Sequence, residues 1–89
     1  MPVVLTADAL ADLANIRSYI GEHNPFAATR VAVQLIATCD RLEYLPERGR
    51  PGIVPQTREL TAFWPYVIVY RITPAAVEIL RIWHGAQDR

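Results

Sequence analysis

The stretch of sequence that decides the fold is residues 66–84, which reads YVIVYRI-TPA-AVEILRIWH. It predicts two β-strands, Tyr66–Ile72 and Ala76–His84, because both segments are rich in β-branched and aromatic residues. The connection, Thr73–Ala75, is too short for a crossover, so the two strands should be antiparallel neighbours. Both segments are apolar on both faces, which is typical of central strands.

Further strands are predicted on either side of a helical region. Arg58–Ala62 precedes the connection Phe63–Pro65 and completes a three-stranded antiparallel meander. Pro2–Thr6 is a β-branched run that predicts a first strand, ended by a threonine able to cap a helix. The segment Pro46–Thr57 contains three prolines and two glycines and is interpreted as an irregular loop.

The residues between the first strand and this loop predict an antiparallel helical hairpin. The first helix spans 8–21; Asn24 and Pro25 start the second, which ends near Leu45 because Pro46 cannot continue it. The apolar stripes are Leu10, Leu13, Ile16 and Ile20 on the first helix, and Ala28, Val31, Leu35, Cys39 and Leu42 on the second. The predicted class is therefore α+β, with both helices on one face of a small sheet.

Composition limits the classes of function. The 89 residues form one domain, 1–89, and nine arginines without any lysine are balanced by nine acidic residues to a net charge of 0. This balance argues against a diffuse cationic binder of nucleic acid. The single cysteine, Cys39, excludes an intramolecular disulfide and suits a reducing cytosol. No metal-ligand pattern, signal peptide or membrane span is apparent, so we expect a cytoplasmic protein without metal or cofactor.

The predicted architecture leaves one face of the sheet without a helix layer. The last two strands would then expose apolar side chains among arginines on that face. Small monomers rarely leave such a patch in contact with water. The sequence therefore predicts that another protein binds there.

Several segments together resemble the RelE/ParE toxins of type II toxin-antitoxin systems. In the helical half they are Asp12-Leu13 with Ile16 and Tyr19-Ile20, Asn24-Pro25 with Ala27-Ala28, and Leu45-Pro46 leading to Gly49-Arg50. In the sheet they are Thr57–Leu60, Pro65–Ile72 and Val77–Gln87 with its His84-Gly85 pair. The resemblance spans nearly the whole chain and matches the order and length of the elements.

This resemblance implies a growth-inhibiting, plasmid-stabilising toxin held in a hetero-oligomer with its cognate antitoxin. That partner would be ParD-like, with a ribbon-helix-helix half and an acidic, amphipathic C-terminal segment. Two branches of the family differ in target. The RelE branch cuts mRNA in the ribosomal A site, whereas the ParE branch inhibits DNA gyrase. Function resides in the site rather than in the fold, so the branch must be argued from residues.

Metal-free RNA cleavage needs a general base, a general acid and cations around the phosphate. The residues available for these roles are Glu59 as base, His84 as acid, and Arg50, Arg58, Arg71 and Arg81 for phosphate. Because Arg58 opens one strand of the meander and His84 closes another, the two are expected to share one edge of the sheet.

Other features argue against a nuclease. The chain lacks the lysines of the RelE branch, has no tyrosine after His84 and is neutral overall. Strict alternation places Arg81 with Val77, Ile79 and Trp83, and His84 on the opposite face with Glu78, Leu80 and Ile82, unless a bulge intervenes. Gyrase inhibition is therefore favoured, with a ribosome-dependent RNase as the alternative and a non-toxic antitoxin-binding scaffold as the second alternative.

Residues proposed to contact the antitoxin or the target are mainly arginines of the loop and sheet. They are Arg48, Arg50, Arg58, Arg71, Arg81, Trp83 and His84. Arginine binds carboxylates in bidentate fashion, and tryptophan and arginine are enriched at the centres of interfaces. Structural roles remain open: Arg81 and Arg58 as ion-pair partners of Glu78 and Glu59, and His84 as a hydrogen-bond partner of the backbone at the end of the sheet.

Overall fold

A computed structural model describes residues 1–61 and 63–85. Its elements are β1 (Val3–Leu5), α1 (Ala7–Gly21), α2 (Pro25–Asp40), β2 (Arg50–Pro51), β3 (Arg58–Leu60), β4 (Tyr66–Ile72) and β5 (Val77–His84), with short 3-10 helices at Arg41–Glu43 and Pro46–Arg48. The predicted order of strand, helical hairpin and antiparallel meander is confirmed, and the fold class is α+β.

The five strands form one sheet in the order β1-β5-β4-β3-β2. β1 runs parallel to β5, with Val3 opposite Val77, and every other neighbouring pair is antiparallel. The sequence did not reveal β2, a two-residue strand inside the predicted loop, because one of its residues is a proline. Nor did it place β1 beside β5, since that pairing joins opposite ends of the chain.

The helix and strand ends follow local capping. The side chain of Thr6 accepts the N–H of Ala9 and caps α1, so the first strand ends at Leu5 instead of Thr6. The second helix is shorter than predicted: α2 ends at Asp40, and a 3-10 turn continues the chain. The last strand begins at Val77 instead of Ala76. The strand predicted over Arg58–Ala62 ends at Leu60, and residue 62 lies outside the described residues.

Buried side chains between the helical hairpin and the sheet form the core. The fully or nearly fully buried members include Ala9, Leu35, Cys39, Leu42, Ile68, Tyr70, Val77 and Ile79. On α1 the predicted core stripe is wrong at Leu10, which is 54% exposed, because Ala9 takes the buried position. Burial, and then the charge of Asp40, raise the pKa of Cys39 to about 12, so its thiol stays neutral. Cys39 is a small core residue, as predicted.

A β-bulge interrupts the pairing of the two longest strands. Val69 lies opposite Arg81 but Tyr70 lies opposite Ile79, so Leu80 is an extra residue on β5. The bulge reverses the alternation: Ile79 and Ile82 both enter the core, and Arg81 turns to the face without helices. The prediction that Arg81 shares a face with Val77 and Ile79 is therefore wrong, although Arg81 and His84 still point to opposite faces.

The sheet face without helices is not a bare apolar patch. Val67 is 3% exposed, and Val69 and Trp83 beside it are half-buried. The Arg81 guanidinium lies 4.4 Å from the ring centroid of Trp83, and Arg71 pairs with Glu78 at 2.6 Å. The predicted patch is thus covered in part by Arg81 and interrupted by the Arg71–Glu78 pair.

Tyr70 fastens the loop that follows α2 to the sheet. Its buried hydroxyl donates to the carbonyl of Pro46 at 2.7 Å and accepts the N–H of Gly49 at 2.7 Å. We expect Tyr70→Phe to lower the free energy of unfolding by about 2 kcal/mol, because it leaves a buried N–H without its acceptor. Urea denaturation measures this change. Tyr44→Phe, at a side chain that is 79% exposed, is the control, and equal stability of the two variants would contradict this role.

Candidate partner-binding groove

A groove with a volume of about 640 Å³ lies between α1 and the end of β5. Its α1 wall consists of Asp12, Asn15, Ile16, Tyr19 and Ile20, and its sheet wall of Tyr66, Arg81, Ile82, Trp83 and His84. Aromatic and aliphatic surface is thus combined with a few charged and polar groups. This composition is typical of surfaces that bind a protein segment.

The groove exists because β1 is much shorter than β5. After Leu5 the chain turns at Thr6, whose backbone N–H and hydroxyl both donate to the carbonyl of Ile79, and α1 begins. Within residues 1–61 and 63–85, no strand pairs with β5 on this side beyond Ile79. The helix therefore runs beside a strand edge and leaves the cleft between them.

Asp12 of α1 replaces the missing strand at this edge. Its Oδ2 accepts the backbone N–H of Ile82 at 2.9 Å and the Nε–H of Arg81 at 2.7 Å, while its Oδ1 accepts Nη2–H of Arg81 at 2.9 Å. This is a bidentate ion pair across the edge of the sheet. It draws Arg81 from the face without helices around the edge of the strand and into the groove.

These contacts determine the ionisation of the pair. Burial raises the pKa of Asp12. The hydrogen bonds from Arg81 and Ile82, together with the charge of Arg81, lower it by more than burial raises it, so the pKa of Asp12 lies below its ordinary value. The hydrogen bond to Asp12 raises the pKa of Arg81. Both groups are therefore charged at neutral pH. The Arg81 side chain nevertheless remains 40% exposed and accessible to a second anion.

His84 lies at the aromatic end of the groove. Its ring meets that of Tyr66 edge to face, with centroids 5.6 Å apart, and Phe63 packs against Tyr66 at 5.9 Å. Burial raises the pKa of Tyr66, so its hydroxyl is neutral at physiological pH. Arg81 and His84, although they point to opposite faces of β5, both line the groove because it opens at the strand's edge.

The other residues predicted for catalysis lie elsewhere. Arg58 is opposite Tyr70, whereas His84 is opposite Tyr66, so the expected sharing of one edge is wrong. Tyr66 and Tyr70 are four residues, or about 13 Å, apart along β4. In addition, Arg58 and His84 lie on different strands, β3 and β5, on either side of β4. Glu59, the predicted base, is 6% exposed and pairs with Arg50 at 3.2 Å.

The ion pairs also differ from those considered from sequence. Arg58 donates to the carbonyls of Gly49 and Glu47, and Arg81 pairs with Asp12. The partners expected for them, Glu59 and Glu78, pair with Arg50 and Arg71. Arg48 is exposed on the loop. Of the predicted site residues, only Arg81, Trp83 and His84 therefore meet in the groove.

Asp12 and Tyr19 are two of the seven groove residues that the sequence did not mark as site residues. Asp12 and Tyr19 both belong to the motif that carried the family resemblance, but they were counted only as part of the helix pattern. The useful signal in the sequence is Tyr19, a large aromatic residue beside the apolar stripe of α1. In the structure its side chain is 72% exposed. No comparable signal marks Asp12, because its partners are 69 and 70 residues away.

In the described part of the chain, no three histidine, cysteine or acidic side chains are grouped to hold a metal ion. No helix there is long and apolar enough to cross a membrane.

Comparison with known proteins agrees with this architecture. Residues 3–89 match the family model described as the ParE toxin of the type II toxin-antitoxin system parDE. A chain of the chromosomal ParDE system from P. aeruginosa superposes with a TM-score of 0.87 at 28% identity, covering 94% of this chain and 95% of that one. Fold and groove thus define a small toxin of the type that pairs with an antitoxin.

Two of the curated relatives carry the RelE name, whereas the family model and the solved structure carry the ParE name. Toxin RelE2 of Caulobacter vibrioides is 47% identical over 85 residues, 96% of each chain. Putative toxin Y4kP of Sinorhizobium fredii is 43% identical over 84 residues, which are 93% of this chain and 86% of that one. Toxin RelE1 of C. vibrioides is 36% identical over 90 residues. The chain belongs to the ParE toxin family, within the RelE/ParE superfamily of type II toxin-antitoxin systems.

Proposed function

We propose that this toxin inhibits bacterial growth by binding DNA gyrase, and that its cognate antitoxin neutralises it by laying a segment into the groove between α1 and β5. The observation that favours a binding toxin over a nuclease is the separation of the catalytic candidates. Glu59 and Arg58 stabilise the β2–β3 region, while His84 and Arg81 lie at the other end of the sheet.

Geometry is decisive for general acid-base catalysis. A base and an acid must both reach the reacting phosphodiester, which requires heavy-atom distances near 3 Å from the atoms that exchange protons. Glu59 accepts from Arg50, and Arg58 is occupied by two backbone carbonyls. Neither side chain reaches the groove that contains His84. A neutral surface also gives little of the general attraction for phosphate that ribosomal RNA binding uses.

The groove fits the chemistry expected of an antitoxin segment. Tyr19, Ile20 and Trp83 provide aromatic and aliphatic surface for one side of an amphipathic helix or strand. Arg81 is held on Trp83 by Asp12, and its Nη1 makes none of the contacts to Asp12, so it is available to an incoming carboxylate. An acidic, amphipathic segment could thus pack its apolar side chains on the groove walls and pair a carboxylate with Arg81.

A ribosome-dependent RNase is the second candidate. It is favoured by one observation: Arg81, His84 and Tyr66 line the same groove, so a cation, an imidazole and a phenol are near each other. In this function His84 would act as general acid and Arg81 would bind phosphate. The groove would then be the active site, and the antitoxin would inhibit by covering it.

Inducible expression in the absence of antitoxin separates these functions. The gyrase proposal predicts growth arrest with a DNA-damage response and intact transcripts, and it predicts that His84→Ala remains toxic. The nuclease alternative predicts cleaved transcripts on translating ribosomes, lost in His84→Ala and Arg81→Ala. Normal growth on induction would instead support a non-toxic scaffold. Transcript cleavage without a DNA-damage response would contradict the proposal.

A further inference from the structure

A turn between β2 and β3 presents two neighbouring aliphatic side chains to solvent. Ile53 is 78% exposed and Val54 is 62% exposed. A single exposed apolar residue is ordinary, but two at the tip of one turn form a small apolar protrusion. Neither side chain belongs to the core cluster or to the lining of the groove.

The turn is held in one conformation by its own hydrogen bonds. The N–H of Gly52 donates to the carbonyl of Thr57 at 2.8 Å, and the hydroxyl of Thr57 donates to the carbonyl of Val54 at 2.6 Å. Pro51 and Pro55 restrict the backbone on both sides of the tip. A turn ordered before binding loses little conformational entropy when it binds, so its exposed side chains are well suited to recognition.

The base of the turn is fastened to the sheet by arginines. Arg58 donates to the carbonyl of Gly49 at 2.8 Å, and Arg50 pairs with Glu59 at 3.2 Å. Arg50 and Arg58, which the sequence suggested for phosphate binding, therefore stabilise the base of this turn. Because Glu59 pairs with Arg50, the positive charge beside the apolar tip comes from Arg48, which is exposed, and from Arg58, which donates to two neutral carbonyls.

The turn is distant from the groove in two directions. Three strand spacings separate β2 from β5, which is about 14 Å. Along the strands, the turn extends beyond the level of Arg58 and Tyr70, whereas the groove is at the level of Tyr66 and His84. A segment seated in the groove therefore leaves the turn uncovered.

We propose that the Gly52–Thr57 turn is the surface with which the toxin contacts its protein target, inserting Ile53 and Val54 into an apolar cleft that has acidic side chains at its rim. This inference rests on the proposed function and adds the contact surface to it. Aliphatic tips pack into protein clefts, whereas unpaired RNA bases stack on aromatic side chains, which this tip lacks. The flanking arginines complement an acidic rim.

The test is a double variant, Ile53→Ser with Val54→Ser, compared with Val33→Ser. Val33 is 59% exposed on α2 and lies outside both the turn and the groove, so it controls for loss of exposed aliphatic surface. Purified variants are assayed for gyrase binding and for antitoxin affinity. We expect the double variant to bind gyrase at least about tenfold more weakly, with antitoxin affinity unchanged, and Val33→Ser to behave as wild type.

Each other outcome has a distinct meaning. If the wild type itself neither binds gyrase nor arrests growth, the proposed function fails together with this inference. If the wild type binds and the double variant binds equally well, this inference alone is overturned. It is also overturned if the double variant loses antitoxin affinity. Strong loss in Arg48→Gln, with the double variant unaffected, would overturn it in favour of a nucleic-acid target.

Discussion

Asp12→Ala should lower the free energy of unfolding by about 3 kcal/mol, the largest loss that we expect from a single polar side chain of this protein. Three hydrogen bonds end on this carboxylate: two from Arg81 and one from the backbone N–H of Ile82. Removing it leaves a strand N–H and a guanidinium without their acceptor. Asp12→Asn keeps an oxygen for Ile82 but loses the ion pair, so its stability should lie between those of the wild type and Asp12→Ala.

The pH dependence provides a second readout of the same contact. Because the folded-state pKa of Asp12 is depressed, its contribution is fully present above the unfolded value near 3.9 and is lost as pH falls through the lower, folded value. The difference between wild type and Asp12→Asn should therefore be constant from pH 5 to pH 7 and shrink below about pH 4. Urea denaturation at several pH values measures it.

Asp8→Ala is the matched control for this prediction. Asp8 is an exposed acidic residue of the same helix, in its first turn, and stabilises it mainly through the helix dipole. We expect a loss below about 1 kcal/mol for Asp8→Ala. Equal effects of the two alanine substitutions would show that the Asp12 contacts add nothing beyond helix electrostatics.

Tyr19→Ala should weaken binding of the antitoxin by about 30-fold, which corresponds to about 2 kcal/mol at an aromatic interface residue. Tyr19 lines the groove and is 72% exposed in the isolated chain. Its side chain therefore contributes little to folding, and we expect the free energy of unfolding to change by less than about 0.5 kcal/mol. Calorimetric titration with the cognate antitoxin measures the affinity.

Tyr44→Ala separates a groove effect from a general loss of exposed aromatic surface. Tyr44 is 79% exposed and lies outside the groove, at the end of the 3-10 turn that follows α2. We expect Tyr44→Ala to bind the antitoxin as the wild type does. An unchanged affinity in Tyr19→Ala, or an equal loss in both variants, would place the antitoxin elsewhere on the toxin.

Local patterns were sufficient to predict most of the fold. Capping by Asn24, the helix-starting Pro25 and the β-branched and aromatic run 66–72 act over a few residues, so local patterns predict the helical hairpin and β4. β1 was found as a strand, but its parallel pairing with β5 is a contact between residues more than 70 positions apart. No local pattern specifies such a pairing.

The candidate site was harder to predict from the sequence because it, too, depends on strand pairing. The bulge at Leu80 reverses the faces of Arg81 and His84, and a bulge is a property of two paired strands rather than of one segment. Without the register of β3 and β4, Arg58 was placed near His84 at one edge. The residue types of the groove were partly foreseen, whereas their grouping depended on strand pairing.

The two proposed binding surfaces, one for the antitoxin and one for the target, lie at opposite ends of the sheet. In this proposal the groove beside β5, with Arg81 and Trp83, binds an acidic, amphipathic antitoxin segment, and the turn with the exposed Ile53 and Val54 binds the target. Because the surfaces do not overlap, substitutions at one should leave binding at the other intact. Neutralisation would then depend on the bulk of the bound antitoxin keeping gyrase away from the toxin.

The most direct test of the central claim is DNA supercoiling by purified gyrase in the presence of the purified toxin. The account predicts that supercoiling falls as toxin is added, and that prior addition of the cognate antitoxin restores it. Tyr19→Ala should inhibit gyrase like the wild type but require about 30-fold more antitoxin for relief. Full supercoiling activity at saturating toxin would contradict the account.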